Sequence, residues 1–324
     1  MCTFQSRVWR ICSCITLAGA SESETLPIVD CRLSIDGTAQ LPIGNQKPAI
    51  VNVSNLCNLW KSVDLPQTMN WKTFWALFAR DAHVARRNLV PTLLQTFLQP
   101  MMFVFIFGRV MVSSGFMASS YKSLLLPGIM ALSMIFTGVW AVAMPLIGEF
   151  QFTHEIEDRL LAPIENDWLA IEKVLFGAAQ AIVAGLAVIP AAWLLLRPGV
   201  ELSLSSPLMF AAITLLVALL SASGGLALGC SISQTQIGLM FSMVLTPMIF
   251  FGCTYYPWSA LASFPILQKI VLVNPLVYAS EGLRGTLVPQ FPHLPIIVVM
   301  VGLLVFDSLL LMIGLRQFRK KAVT

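Results

Sequence analysis

Side chains able to do chemistry are few in this 324-residue chain, and most are scattered. The three histidines, His83, His154 and His293, are far apart, and H-E-x-x-H and G-x-S-x-G are both absent. Neither a catalytic residue nor a metal site is assigned on these grounds. The phosphate-cradling pattern G-x-x-x-x-G-K-[ST] is also missing, so no nucleotide is expected to be held by this chain. One stretch differs from the rest. Residues 149–167, EFQFTHEIEDRLLAPIEND, carry six of the sixteen acidic residues (Glu149, Glu155, Glu157, Asp158, Glu165 and Asp167) between two long apolar runs. Thr153 can cap a short helix there, with Glu155 and Glu157 in its first turn, where negative charge suits the helix dipole. Glu155 and Arg159 stand four apart in the favourable order, while Ile156, Leu160 and Leu161 share the other side. Pro163 discourages continuation, and Asp167 can cap the helix that follows at Trp168. Charge on one side and leucines on the other suit a groove in a second protein, the alternative being a solvated loop.

The elements that position this stretch are set by composition. The chain is 57% hydrophobic and 11% charged, where a soluble domain carries about a quarter charged residues, so its solvent is largely lipid. A net charge of +4 is too small to point to nucleic acid. Six apolar runs, 91–112, 124–146, 174–196, 208–230, 237–255 and 294–315, would each reach roughly 28–35 Å as helices, enough to cross the hydrocarbon core. The expectation is an all-α membrane protein with six transmembrane helices. Residues 69–324 form that domain. Residues 1–68, broken by Pro27, Pro42, Pro48 and Pro66, read as a disordered or mis-called N-terminal extension, with a signal peptide ending near Ala20 as the other reading. Five of the seven cysteines lie there; Cys230 and Cys253 are given no redox role.

Residues 70–87 read as an amphipathic helix lying in the interface. Trp71, Phe74, Trp75, Phe78, Ala82 and Ala85 recur at helical spacing, and Lys72, Arg80, His83 and Arg87 line the opposite side. A plain lead-in to the first span is the alternative. With this helix in the cytoplasm, Lys72, Arg80, Arg86, Arg87, Arg159, Lys173, Arg316, Arg319, Lys320 and Lys321 are inside and Arg109, Lys122, Arg197, Lys269 and Arg284 outside. That imbalance follows the positive-inside rule and places both ends of the membrane domain, and residues 149–167, in the cytoplasm.

Between the last two runs the chain is divided by Pro257, Pro265, Pro275, Pro289 and Pro292. Asn274 can cap a helix with Pro275 at its first position, and Glu281 and Arg284 lie three apart upon it. Two short re-entrant helices are expected on the outer face before the last span, either a gate or a structural plug. Asp307 and Gln99 are polar residues at similar membrane depth, and Gln99 is the expected partner of the acid. Ser221, Gly225 and Gly229 repeat at small-xxx-small spacing, which permits close helix contact.

Two motifs carry a family resemblance. The first is Glu155, Glu157, Asp158, Arg159, Leu160, Leu161, Ala162 and Pro163, placed between two spans. The second is Tyr256-Pro257 followed by Asn274-Pro275-Leu276, Tyr278, Glu281, Leu283, Arg284 and Gly285. In this order and around six apolar runs, they resemble the ABC-2 type exporter permeases over residues 70–321, nearest the drug-resistance and lipo-oligosaccharide (nodulation-type) group. The resemblance implies a homodimer in a bacterial cytoplasmic (inner) membrane, joined to two ATP-binding-cassette ATPase subunits that use ATP. Glu155, Glu157, Asp158, Arg159, Leu160, Leu161 and Pro163 would then form the coupling helix. Trp71, Trp75, Phe78, Arg80 and Arg87 would belong to the interfacial helix, in contact with membrane lipids, and Tyr256, Pro257, Asn274, Pro275, Glu281 and Arg284 to the outer gate. The expected function is export of an amphiphilic drug, lipid-linked sugar or polysaccharide. A transporter driven by an ion gradient is the alternative. Against it, no repeat of broken spans carries paired midplane charges.

Overall fold

The structure, a computed structural model, describes residues 38–41, 49–52, 71–87, 98, 100–118, 120–150, 166–196, 203–204, 206–232, 234–236, 238 and 241–323. The chain divides into two units, Met1–Pro66 and Gln67–Thr324. In the first unit, β1 (Thr38–Leu41) pairs antiparallel with β2 (Ala49–Asn52), with Thr38 opposite Asn52 and Leu41 opposite Ala49. These are the only strands among the described residues, so the all-α expectation holds for the second unit and not for this hairpin.

The second unit is helical because its long runs of Leu, Ala, Val, Ile and Met have few charges, and a helix satisfies its own backbone where no water can. Among the described residues, four helices are long and apolar enough to cross a membrane. They are α3 (Tyr121–Gly148), α4 (Asn166–Leu196), α5 (Pro207–Ser231) and α9 (Ile296–Val323), matching the apolar runs two, three, four and six. Before them come α1 (Trp71–Arg87) and α2 (Pro100–Ser113), the latter with a π-helical stretch over Val104–Val110.

The fifth run behaves differently. A π-helical turn, Phe241–Leu245, leads into α6 (Thr246–Phe250), and the helix ends there. Cys253 then takes a φ of 52°, a left-handed conformation that a side chain with a Cβ adopts at a cost of about 1–3 kcal/mol. A uniform apolar composition does not guarantee a continuous helix, and Gly252 and Cys253 break this one. Short 3₁₀ turns, α7 (Pro265–Ile270) and α8 (Pro275–Leu287) follow.

Helix α3 is the centre of the unit; Leu125, Ile129, Met130, Met134, Val142 and Leu146 on it are fully buried. Its closest partner is α5. A Cβ on Gly225 would lie 2.8 Å from the Val139 carbonyl oxygen, and one on Gly229 would lie 2.9 Å from the Ala143 Cα. The small-residue stripe therefore meets a span of the same subunit, a choice the spacing alone leaves open. By contrast, α9 shows a broad apolar face, including Ile297, Val301, Leu304 and Val305, away from the bundle.

Candidate functional site

The described polar groups gather near the two ends of α3, a helix of 28 residues or roughly 40 Å. Residues 151–165, and with them the predicted coupling residues Glu155, Glu157, Asp158, Arg159, Leu160, Leu161 and Pro163, lie outside the described residues. The two ends of that segment are described, and each is held.

At its start, Glu149 follows the last turn of α3 and Lys173 lies two turns into α4. The Lys173 ammonium donates to Glu149 Oε1 at 2.9 Å and to Asp81 Oδ2 of α1 at 2.6 Å. The lysine is 4% exposed, so its charge is almost wholly removed from solvent and compensated by the two acids. Next to Glu149, Phe150 packs edge-to-face on Phe318 of α9 with ring centroids 5.8 Å apart, and the Lys321 ammonium sits 4.9 Å above the same ring. At the far end, Asp167 is in the first turn of α4, where the dipole favours an acid. Arg319 grips it two-handed. Its Nε donates to Asp167 Oδ1 at 2.6 Å and its Nη2 to Oδ2.

Helix α1 packs on α4 through residues three and four apart. Phe74 is buried, Leu77 and Phe78 are partly buried, and Phe78 meets Phe176 edge-to-face at 5.5 Å. This splits the predicted aromatic face. Phe74 and Phe78 point into the bundle, whereas Trp71 and Trp75 are 59% and 58% exposed. Arg80, His83 and Arg87 are exposed as the pattern suggests. Periodicity does not single out Asp81, yet among the described charged residues of α1 it is the one that turns inward.

The second place is built around α8. Asn274 caps this helix by accepting from the Leu276 N–H at 3.0 Å, and its Nδ2 donates to the Met248 carbonyl at 2.7 Å. Pro275 takes the first helical position. Glu281 and Arg284 are both completely buried and paired with each other. Glu281 also accepts from the Trp258 N–H at 2.9 Å and the Leu294 N–H at 3.0 Å, while Arg284 Nη2 donates to the Cys253 carbonyl at 3.1 Å. One ion pair thus pins the chain at 253, 258 and 294 to a single helix. The Tyr256 hydroxyl donates to the Phe250 carbonyl at 2.8 Å, closing the end of α6, and Pro257 begins the turn at Trp258. Tyr121 at the start of α3 donates to the Tyr255 carbonyl at 2.7 Å, and the Tyr255 ring packs against both Phe103 and Phe107 of α2, at 5.2 and 5.3 Å. The predicted outer-gate residues are therefore brought together.

Of the two intramembrane polar residues, Gln99 lies outside the described residues. Both carboxyl oxygens of Asp307 on α9 are buried and accept no hydrogen bond among the described residues. Arg109, the other charge inside a run, donates to the Leu195 carbonyl at the end of α4, at 3.1 Å. Cys230 and Cys253 are free and buried, and no cluster suited to a metal ion exists among the described residues.

These helices define a multi-pass membrane domain, a fold that does not by itself fix a function. Comparison with known proteins gives the family. The chain belongs to the ABC-2 type transporter family, whose sequence pattern matches residues 72–288. It is similar to the inner membrane transport permease YadH of Escherichia coli (strain K12), with 28% identity over 221 residues, 66% of this chain and 82% of that protein. The proteins of the same name from Escherichia coli O157:H7 and Shigella flexneri match with the same identity and coverage.

Proposed function

We propose that this chain is the permease subunit of an ATP-driven exporter, working as a pair of identical subunits with two separate ATP-binding-cassette subunits. The observation that carries the reading is the family match over residues 72–288, which takes in α1, residues 149–167 and the α8 region in one continuous stretch. The chain's lack of a phosphate loop agrees with energy supplied by a partner. The cargo is an amphiphile: a drug, a lipid-linked sugar or a polysaccharide. The location is the inner membrane, as for the inner membrane permease YadH, with both ends of the membrane domain in the cytoplasm.

In this reading, Glu155, Glu157, Asp158, Arg159, Leu160, Leu161 and Pro163 form a coupling helix that receives the push of the ATPase. Trp71, Trp75, Phe78, Arg80 and Arg87 belong to an interfacial helix, with the exposed Trp71 and Trp75 rings meeting lipid. Tyr256, Pro257, Asn274, Pro275, Glu281 and Arg284 close the outer end. Purification under mild detergent tests the assembly: recovery of an ATP-hydrolysing subunit is expected. Transport by the chain alone on an ion gradient would instead favour a secondary transporter. Reversing both charges at Glu157 and Arg159 is expected to leave insertion normal and to separate ATP hydrolysis from export in reconstituted vesicles. Unchanged coupling would remove the role given to that helix.

A further inference from the structure

We propose that Lys173 is a positioning residue that makes α1 and the start of the 149–167 segment move as one body. This rests on the reading of that segment as the receiver of the ATPase's push. Three elements distant in sequence meet at one ammonium: Asp81 from α1, Glu149 from the end of α3, and Lys173 itself from α4. The lysine is 4% exposed, and its two acids are shielded from solvent nearly as well. Parting the ammonium from these acids would leave a cation at 4% exposure with neither an acid nor water beside it, which is far costlier than breaking an exposed pair. The Phe78–Phe176 edge-to-face contact beside it is a weaker constraint than an ion pair withdrawn from water. The ammonium therefore fixes the register of α1 against α4 and, at the same time, ties the exit of α3 to both. Force arriving at residues 149–167 passes to α1 through this node.

The test uses the full chain in complex with its ATP-hydrolysing subunit, reconstituted in lipid vesicles. Bioorthogonal spin labels are placed at exposed Val84 on α1, at Gly148 beside Glu149, where an added Cβ meets nothing within 4 Å, and at exposed Phe116, beyond α2, as a reference. Distances are measured before and after trapping with MgATP and vanadate. With native charges, trapping is expected to shift the labels at 84 and 148 relative to 116 while leaving the 84–148 distance unchanged. Lys173→Met is expected to split that joint motion, so that trapping changes the 84–148 distance, and Lys173→Arg is expected to restore it. A purely packing role predicts lower thermal stability with the joint motion intact, which overturns the inference. If neither label moves on trapping in the native-charge protein, the coupling reading itself fails and the inference falls with it. Should Lys173→Met not fold, Asp81→Asn removes one arm alone. It is then expected to free the label at 84 while the label at 148 still moves, and retained joint motion in that variant would equally overturn the inference.

Discussion

The two polar regions use the same chemistry for opposite ends. Around α8, Glu281 and Arg284 are wholly buried on one helix, three residues apart, and their remaining bonds reach backbone groups at 253, 258 and 294. That pair holds irregular chain in place, since broken backbone at membrane depth must find its hydrogen bonds within the protein. At the other end of α3, the bonds run from side chain to side chain between separate helices: Asp81 to Lys173, Glu149 to Lys173, and Asp167 to Arg319. A charge that binds backbone fixes a shape, whereas charges that bind one another across helices fix a relation between bodies. The α8 region is thus held as one rigid piece, whereas the bonds at the Glu149 end tie separate helices to one another.

Graded substitution should break this contrast in order. The largest loss is expected for Arg284→Met, which strands Glu281 with no compensating charge. Removal of one partner from a buried pair costs about 3–5 kcal/mol, read as a lower thermal midpoint in detergent. Replacing both members together, Glu281→Leu with Arg284→Met, should recover part of that loss but leave the Trp258 and Leu294 N–H groups without an acceptor. Next comes Lys173→Met. Its two acids are 11% and 10% exposed, where Glu281 is wholly buried, so a loss of roughly 1–3 kcal/mol is expected, measured in the same way. The smallest effect belongs to Arg319→Ala. Arg319 is 61% exposed, and exposed pairs contribute about 0–1 kcal/mol. Its contribution should fade as salt is raised, whereas the Arg284 effect should not. A loss at Arg319 as large as that at Arg284 would erase the distinction between the two regions.

How much of this was legible in the sequence depends on distance along the chain. Runs two, three, four and six were readable because hydropathy over about twenty residues reports a spanning helix directly. The Asn274 cap and the Glu281–Arg284 pair were readable because their geometry is set within one turn of helix. Lys173 was counted only as a charge on the inner side, because its partners lie 92 and 24 residues away and no local period signals such a meeting. The same limit applied to α1. Helical spacing groups Trp71, Phe74, Trp75 and Phe78 on one apolar face, but only packing on α4 divides them between bundle and exterior. In run five the break at Gly252 and Cys253 was hidden because apolar content is blind to backbone conformation.

The glycine contact of α5 with α3 has a mechanical consequence. Where Gly225 and Gly229 rest on Val139 and Ala143, no side-chain layer separates the two backbones, and nothing there can yield like a flexible rotamer. The two helices form a keyed post: rotation of one about its axis would drive other side chains into the slot that glycine leaves. Rearrangements in this molecule must then pivot around that post, with its outlying helices as the swinging members and its centre as the bearing.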